Sequence, residues 1–281
     1  MSERCGMIWL NGELHAAETA ISAQDRGLLL GESLFETMLV TDNVPQFWSA
    51  HVVRLQASCA AFGLACHYDE AALRDGARAL FAASANDKKA HRSILRLTLT
   101  GGNGGRGLVP VGAARPMVMM QISDAPPRPE ALILHNSNVS RFAGQFGAAH
   151  KTGQYVDNIM ARRQALAAKA DEAVMANQHG RLACAAAGNI FVRFDNRLIT
   201  PPVSEGALPG IIRGALLEMA TIDGLRISEA PIEMARLAAA DGLFITNSIN
   251  GVVAAAYGTR EMAQKKQGIA LHDALPKFSS F

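Results

Sequence analysis

Four features of this chain have residue types and spacings that could do chemistry. The first is a lysine in His150-Lys151-Thr152-Gly153-Gln154-Tyr155. A lysine amine attacks a carbonyl and forms an imine only when it is uncharged, a state favoured by burial and by neighbouring cations. The second is Leu208-Pro209-Gly210-Ile211-Ile212-Arg213. A Pro-Gly pair before an apolar run predicts the start of a helix, whose free backbone N–H groups make an anion site. The third is Arg54, whose planar guanidinium can pair with two oxygens of a phosphate. The fourth is Gly101-Gly102-Asn103-Gly104-Gly105-Arg106-Gly107, which reads as a loop carrying one arginine. Taken singly, each has a plain alternative: a solvated lysine, an ordinary turn into a helix, a helix-surface arginine, a loop with a solvated side chain.

The elements that must position these residues are legible in outline. Met7–Leu10 followed by Asn11-Gly12 reads as a strand and hairpin turn. Residues 34–40 form a second strand, and Val44-Pro45-Gln46-Phe47 follows a turn at 41–43. Residues 50–62 have helical periodicity, with Val53, Ala57 and Ala60 on one face. A second helix spans 69–83, with Asp69 as its N-cap. In 92–100 the leucines at 95, 97 and 99 alternate with Arg96, Thr98 and Thr100, the pattern of a half-buried strand. A strand at 116–122 completes an α+β arrangement rather than a βαβ repeat.

Asp124-Ala125-Pro126-Pro127-Arg128-Pro129 is stiff and non-helical, the best linker in the chain. The expected organisation is therefore a smaller α/β domain at 1–123, a linker at 124–130 and a larger domain at 131–281. The second domain reads as a strand at 131–135, a helix at about 154–169, strands near 172–176 and 189–193, a helix at 211–221 and a strand at about 243–247 before a final sheet segment. The tail from Thr259, with Lys265-Lys266, is weakly patterned.

Bulk properties narrow the class. The 281 residues carry a net charge of +2, with 49% hydrophobic and 19% charged residues, and no long basic run suggests nucleic acid. The cysteines (Cys5, Cys59, Cys66, Cys184) form no CxxC pair and no metal-ligand spacing, as expected of free thiols in a reducing cytoplasm. The N-terminus shows no signal-peptide pattern, and no apolar run approaches the length of a membrane span.

The order of motifs resembles that of the class IV aminotransferases, enzymes of fold type IV that depend on pyridoxal 5′-phosphate (PLP). In the second half the resemblance rests on Lys151-Thr152-x-x-Tyr155-x-x-Asn158, Asp171-Glu172-Ala173, Gly180 through Asn189-Ile190-Phe191, Thr200-Pro201-Pro202 and Leu208-Pro209-Gly210-Ile211-x-Arg213. In the first half it rests on Asp25-Arg26-Gly27, Gly31-x-x-Leu34-Phe35-Glu36-Thr37, His51-x-x-Arg54-Leu55 and Gly105-Arg106-Gly107. It spans about residues 7–257. The family includes branched-chain and D-amino-acid aminotransferases and aminodeoxychorismate lyase, and the loop at 104–107 looks more like that of the lyases.

The resemblance implies a role for each position. Lys151 becomes the Schiff-base lysine, which also moves the Cα proton. Arg54 and the backbones of Ile211 and Ile212 grip the cofactor phosphate, joined by Ser248 from Thr246-Asn247-Ser248. Tyr155 bonds the phenolic oxygen of PLP, and Phe35 and Arg106 face the substrate, a small amino compound. The two α/β domains are expected to hold the cofactor between them, in a cytoplasmic homodimer. One position departs from the pattern. Where the family has a glutamate against the pyridine nitrogen, this chain has Cys184, a weak and mostly uncharged partner that also suits the role of a small buried filler. Gly31-Glu32-Ser33 likewise replaces the usual Gly-Asp-Gly, and Ala254 stands where many relatives have proline. Two outcomes stay open: an enzyme of amino transfer or pyruvate-releasing elimination, or a PLP- or phosphate-binding relative with weak or lost transaminase activity.

Overall fold

The computed structural model describes residues 6–84, 92–105, 107–110, 115–259 and 261–262. The chain divides into two compact units. One contains the residues up to Pro126 together with Lys151–Gln154; the other contains Pro127–His150 and the chain from Tyr155 onward.

The first unit is an antiparallel sheet with helices packed on it. Its elements are β1 (Met7–Leu10), β2 (Glu13–Ala16), α1 (Arg26–Leu30), β3 (Ser33–Thr41), β4 (Val44–Pro45), α2 (Trp48–Phe62), α3 (Glu70–Ser84), β5 (Arg92–Asn103) and β6 (Arg115–Asp124). The strand order is β2-β1-β6-β5-β3-β4. Asn11 and Gly12 both take positive φ, 49° and 101°, as a two-residue hairpin turn requires. Leu95, Leu97 and Leu99 all point into the core, where they meet Met38, Val52, Leu55, Leu73 and Leu80. Asp69 caps α3 by accepting from Ala72 N at 2.8 Å.

Two expectations for this unit need correction. The buried face of α2 is His51, Val52, Leu55, Ser58 and Cys59, whereas Val53, Ala57 and Ala60 are exposed. The apolar pattern pointed to the wrong face because the inward one carries a histidine and a serine. The strand β5 also runs on through Gly101–Asn103 instead of ending at Thr100. Its register shifts there, and Gly102 (φ 61°) brings its backbone so close to Arg115 that a Cβ would lie 1.6 Å from the Arg115 carbonyl oxygen.

The second unit contains β7 (Ala131–Asn136), α4 (Val156–Ala167), β8 (Glu172–Ala176), β9 (Leu182–Ala185), β10 (Asn189–Phe194), β11 (Arg197–Thr200), α5 (Ile211–Met219), β12 (Thr221–Ile222), β13 (Leu225–Glu229), β14 (Gly242–Asn247) and β15 (Gly251–Ala256). Its nine-stranded sheet has the order β12-β13-β11-β10-β14-β15-β7-β8-β9. Pairing is parallel at β11–β13, β15–β7 and β7–β8 and antiparallel elsewhere. Helix α4 packs on β8, and the small residues Ala161 and Ala165 of the helix share one buried cluster with Ala173, Ala183 and Ala186. The weakly patterned tail beyond residue 262 lies outside the described residues.

The inward face of the first unit can be tested directly. Leu97→Ala should lower stability by about 2–5 kcal/mol through cavity formation. Val53→Ala, on the exposed face of α2, should change it by less than about 0.5 kcal/mol. Urea midpoints of the two variants check both values, and a large loss at Val53 would refute this assignment of the helix faces.

Candidate active site

In the first unit the site is built on β3. Lys151 lies in a short extended segment on the open edge of that strand. Thr152 bridges Leu34, Phe35 N donates to Lys151 O at 2.9 Å, and Gly153 N donates to Ser33 O at 2.8 Å. The lysine is thus placed by main-chain bonds on both sides. Its Nζ stands 4.3 Å from the centroid of the Phe35 ring, and the guanidinium of Arg96 stands 3.8 Å from the same centroid. Phe35 is buried. Two cations on one aromatic ring form a patch attractive to an anionic group. The sequence placed Arg96 on the outer face of its strand but gave it no role.

Next to Phe35, Glu36 is buried and paired. Its carboxylate accepts from Arg54 Nε at 2.8 Å and from Arg54 Nη2 at 2.5 Å, and meets His51 Nδ1 at 2.6 Å. Arg54 is nearly buried, and His51 is fully buried with no hydrogen-bond partner at Nε2. The sequence quoted all three residues in motifs but assigned a role to Arg54 alone.

Around the glycine-rich segment, Asp25 caps α1 through Gly27 N at 2.8 Å and accepts from Thr100 Oγ1 at 2.6 Å. Arg26 is buried, pairs with Glu32, and donates to Gly107 O and Leu108 O, both at 2.8 Å. The Asp25-Arg26-Gly27 motif therefore ties the loop to the body of the unit, and Glu32 of Gly31-Glu32-Ser33 takes part in that tie. Arg106 lies outside the described residues.

In the second unit, α5 begins at Ile211 after Gly210, and among the described residues no side chain caps it. Ile212 is buried and Ile211 half-buried. Arg213 is buried and fixes this helix start, donating to Pro201 O at 2.9 Å and pairing with Glu229. Asn189 donates to Leu208 O at 2.8 Å, and a Cβ on Gly210 would lie 2.0 Å from Asn189 Oδ1. Asn189 pairs in register with Thr246 on β14, whose hydroxyl is buried without a hydrogen-bond partner. Ser248 sits half-buried in the following turn, where Asn247 Oδ1 accepts from Ile249 N and Asn250 N. A helix N-terminus without a side-chain cap and an unsatisfied buried hydroxyl are what a phosphate needs, so the phosphate end of PLP fits these residues.

Tyr155 stands at the N-terminus of α4, half-buried. One turn on, Asn158 Nδ2 donates to Ala186 O at 2.8 Å, pinning α4 to the chain that follows Cys184. Cys184 is buried on β9 opposite Met175. Burial pushes its thiol up to about 11, with the charge of Arg141 opposing and that of Glu172 adding. The thiol is therefore neutral at physiological pH, and position 184 supplies no negative charge.

The Glu36 cluster gives a pH signature. Burial pushes the Glu36 carboxyl up, but hydrogen bonds and charge from His51 and Arg54 outweigh it and hold the group at about 2. Burial lowers His51, and the charges of Arg54 and Lys151 reinforce that against the pull of Glu36. Both groups bind fewer protons folded than unfolded, so both make stability fall on acidification. The His51 share is lost as pH falls below 6.5, and the Glu36 share as pH falls from 4.5 through about 2. In urea unfolding across this range, Glu36→Gln should flatten the loss below pH 4.5 and His51→Asn the loss above it. An acid limb as steep as that of the parent protein in both variants would show that neither group is responsible.

Known proteins share the family and the fold of this chain. The family model "Amino-transferase class IV" matches residues 33–256. The aminodeoxychorismate lyase of Bacillus subtilis is 24% identical over 252 residues, covering 88% of this chain and 85% of that protein. The branched-chain-amino-acid aminotransferase of Pseudomonas aeruginosa is 26% identical over 286 residues, covering 95% of this chain and 88% of that protein. The fold matches that of the branched-chain amino acid aminotransferase of Escherichia coli with a TM-score of 0.84 at 20% identity, covering 98% and 96% of the two chains. This chain belongs to the class IV aminotransferases, the PLP-dependent enzymes of fold type IV.

Proposed function

We propose that the enzyme acts on a small amino compound bearing a carboxylate, by amino transfer or by pyruvate-releasing elimination, with Lys151 as the residue that attaches the cofactor and moves the proton at Cα. The observation that carries this reading is the main-chain clamp on Lys151, which sets its amine beside Phe35 and a second cation, Arg96. PLP, when bound, draws electron density away from the Cα of an attached amine, and this makes the Cα proton removable. Amino transfer and elimination share that proton step, and Lys151 Nζ serves both as base and as acid. The family resemblance assigns the phosphate to Arg54 in the first unit and to the backbone N–H groups of Ile211 and Ile212 with Ser248 in the second, and the unsatisfied hydroxyl of Thr246 supports that reading for the second unit. Tyr155 donates to the phenolic oxygen. Phe35 and Arg96 face the substrate from β3 and β5, and Arg106 is the further substrate contact that the family resemblance implies.

Cys184 sets the electronic strength of the site. A neutral thiol cannot hold a proton on the ring nitrogen as a carboxylate does, so amine activation is weaker than with glutamate at this position. The enzyme works as a homodimer in a reducing compartment. Large apolar side chains on the surface support the dimer, with Leu28 at 70%, Val156 at 70% and Leu108 at 84% exposure. The free thiols of Cys59, Cys66 and Cys184 support the compartment.

Purified protein should show a visible absorbance band after addition of PLP. Lys151→Ala should abolish that band and lower turnover by about 10²–10⁴-fold through loss of proton transfer alone; a parent protein that never develops the band would sink the reading. Pyruvate released from aminodeoxychorismate without an acceptor keto acid would identify a lyase, and alanine formed from pyruvate and a donor amino acid a transaminase. Cys184→Glu should raise transaminase turnover. A fall in turnover with an unchanged melting profile would assign Cys184 to a different chemistry.

A further inference from the structure

We infer that Glu36 is a positioning residue: with His51 bracing it, its buried carboxylate fixes the direction of the Arg54 guanidinium before any ligand arrives. The inference rests on the reading that Arg54 contacts the cofactor phosphate. Both oxygens of Glu36 are engaged, Oε1 by Arg54 Nε at 2.8 Å and Oε2 by Arg54 Nη2 at 2.5 Å and His51 Nδ1 at 2.6 Å. This is the forked, coplanar pairing that only a guanidinium makes with a carboxylate.

The position of the cluster argues that it does more than stabilise the fold. Glu36 (1% exposed) and His51 (0%) lie between β3 and α2, beside Val52 and Leu55, where apolar residues would pack without cost. A buried charged pair contributes little net stability against an apolar replacement, because both groups are taken out of water. What the pair does provide is rigidity. An arginine with a fixed plane loses little rotamer freedom when it meets an anion, whereas a mobile one must be ordered at that moment. The cost is charge: Glu36 offsets that of Arg54, so the cluster offers direction more than attraction. His51 sits one turn before Arg54 on α2 and reaches the same carboxylate, so the carboxylate that orients the guanidinium is itself held by a second bond from the helix.

The test uses cofactor-free, full-length protein titrated in parallel with PLP and with pyridoxal, which lacks the phosphate. The ratio of the two affinities isolates the phosphate contribution. Arg54→Met should lower that ratio. Arg54→Lys should lower it nearly as far, because an ammonium keeps the charge but cannot take the forked pairing. Glu36→Gln should lower it by about tenfold, with no further loss when combined with Arg54→Met. If Arg54→Met lowers the ratio while Arg54→Lys and Glu36→Gln keep the parent value, charge alone suffices; the positioning role is then overturned and the phosphate reading stands. If Arg54→Met leaves the ratio unchanged, Arg54 is not a phosphate ligand and both ideas fall. Should Glu36→Gln not fold, as judged by circular dichroism, the lysine variant decides alone.

Discussion

The arrangement of the first unit depends on one short strand. Strand β4 is two residues long and pairs only with Val40 and Thr41 of β3. The other half of that edge, around Leu34 and Phe35, is left with open backbone groups. An open edge binds extended chain, and here Lys151–Gly153 occupies it. The lysine therefore inherits its place from a backbone ladder rather than from side-chain packing. The same strand supplies Phe35 beneath the amine and Glu36 to the helix behind it. Strand β5, paired with β3 from Ser33↔Thr100 to Thr41↔Arg92, brings Arg96 to the same ring. A slip of one residue in this register would turn Phe35 away from Lys151 and Glu36 away from Arg54.

The second unit presents a different feature, a helix start whose first backbone N–H groups have, among the described residues, no side-chain cap. The start of α5 is fixed from two directions, by Arg213 on Pro201 and by Asn189 on Leu208. The motifs around Thr200-Pro201-Pro202 and Asn189-Ile190-Phe191 are the two ends of those tethers. Cys184 packs among alanines and Met175, and the charges that act on it are those of Arg141 and Glu172. Arg141 is itself engaged with Gly206 O and Asn158 Oδ1. Glu172 is raised above the ordinary carboxylate range by burial, against the pull of Arg162. The chemistry of this corner is thus set by exclusion of water more than by a dedicated charge.

Local signals in the sequence were enough for features made within a few residues. The alternation of β5, the Asn11-Gly12 turn, the Asp69 cap and the Pro-Gly start of α5 are all of that kind. What escaped was made at a distance. The partners of Glu36 are His51 and Arg54, 15 and 18 residues away on another element, and no periodicity announces such a contact. The inward face of α2 was misread because that polar contact occupies it. Strands β9, β11 and β13 went unseen; β9 is buried along its whole length and shows no alternation to detect. Strand β2 and helix α1 are short, and their apolar residues face outward. The role of Lys151 is inferred from the order of motifs, and the departure at Cys184 from its residue type; that burial keeps the Cys184 thiol neutral needed the packed structure.

The tie between Arg26 and the carbonyls of Gly107 and Leu108 fixes more than a point of attachment. A Cβ at position 104 would lie 2.6 Å from Arg26 Cδ, so the side chain that moors the loop also keeps that position bare. Gly105, at φ 72°, favours glycine for a reason of its own. The mooring encoded in Asp25-Arg26-Gly27 therefore extends its demands to a segment distant in the sequence, and a change in either place has to be answered in the other.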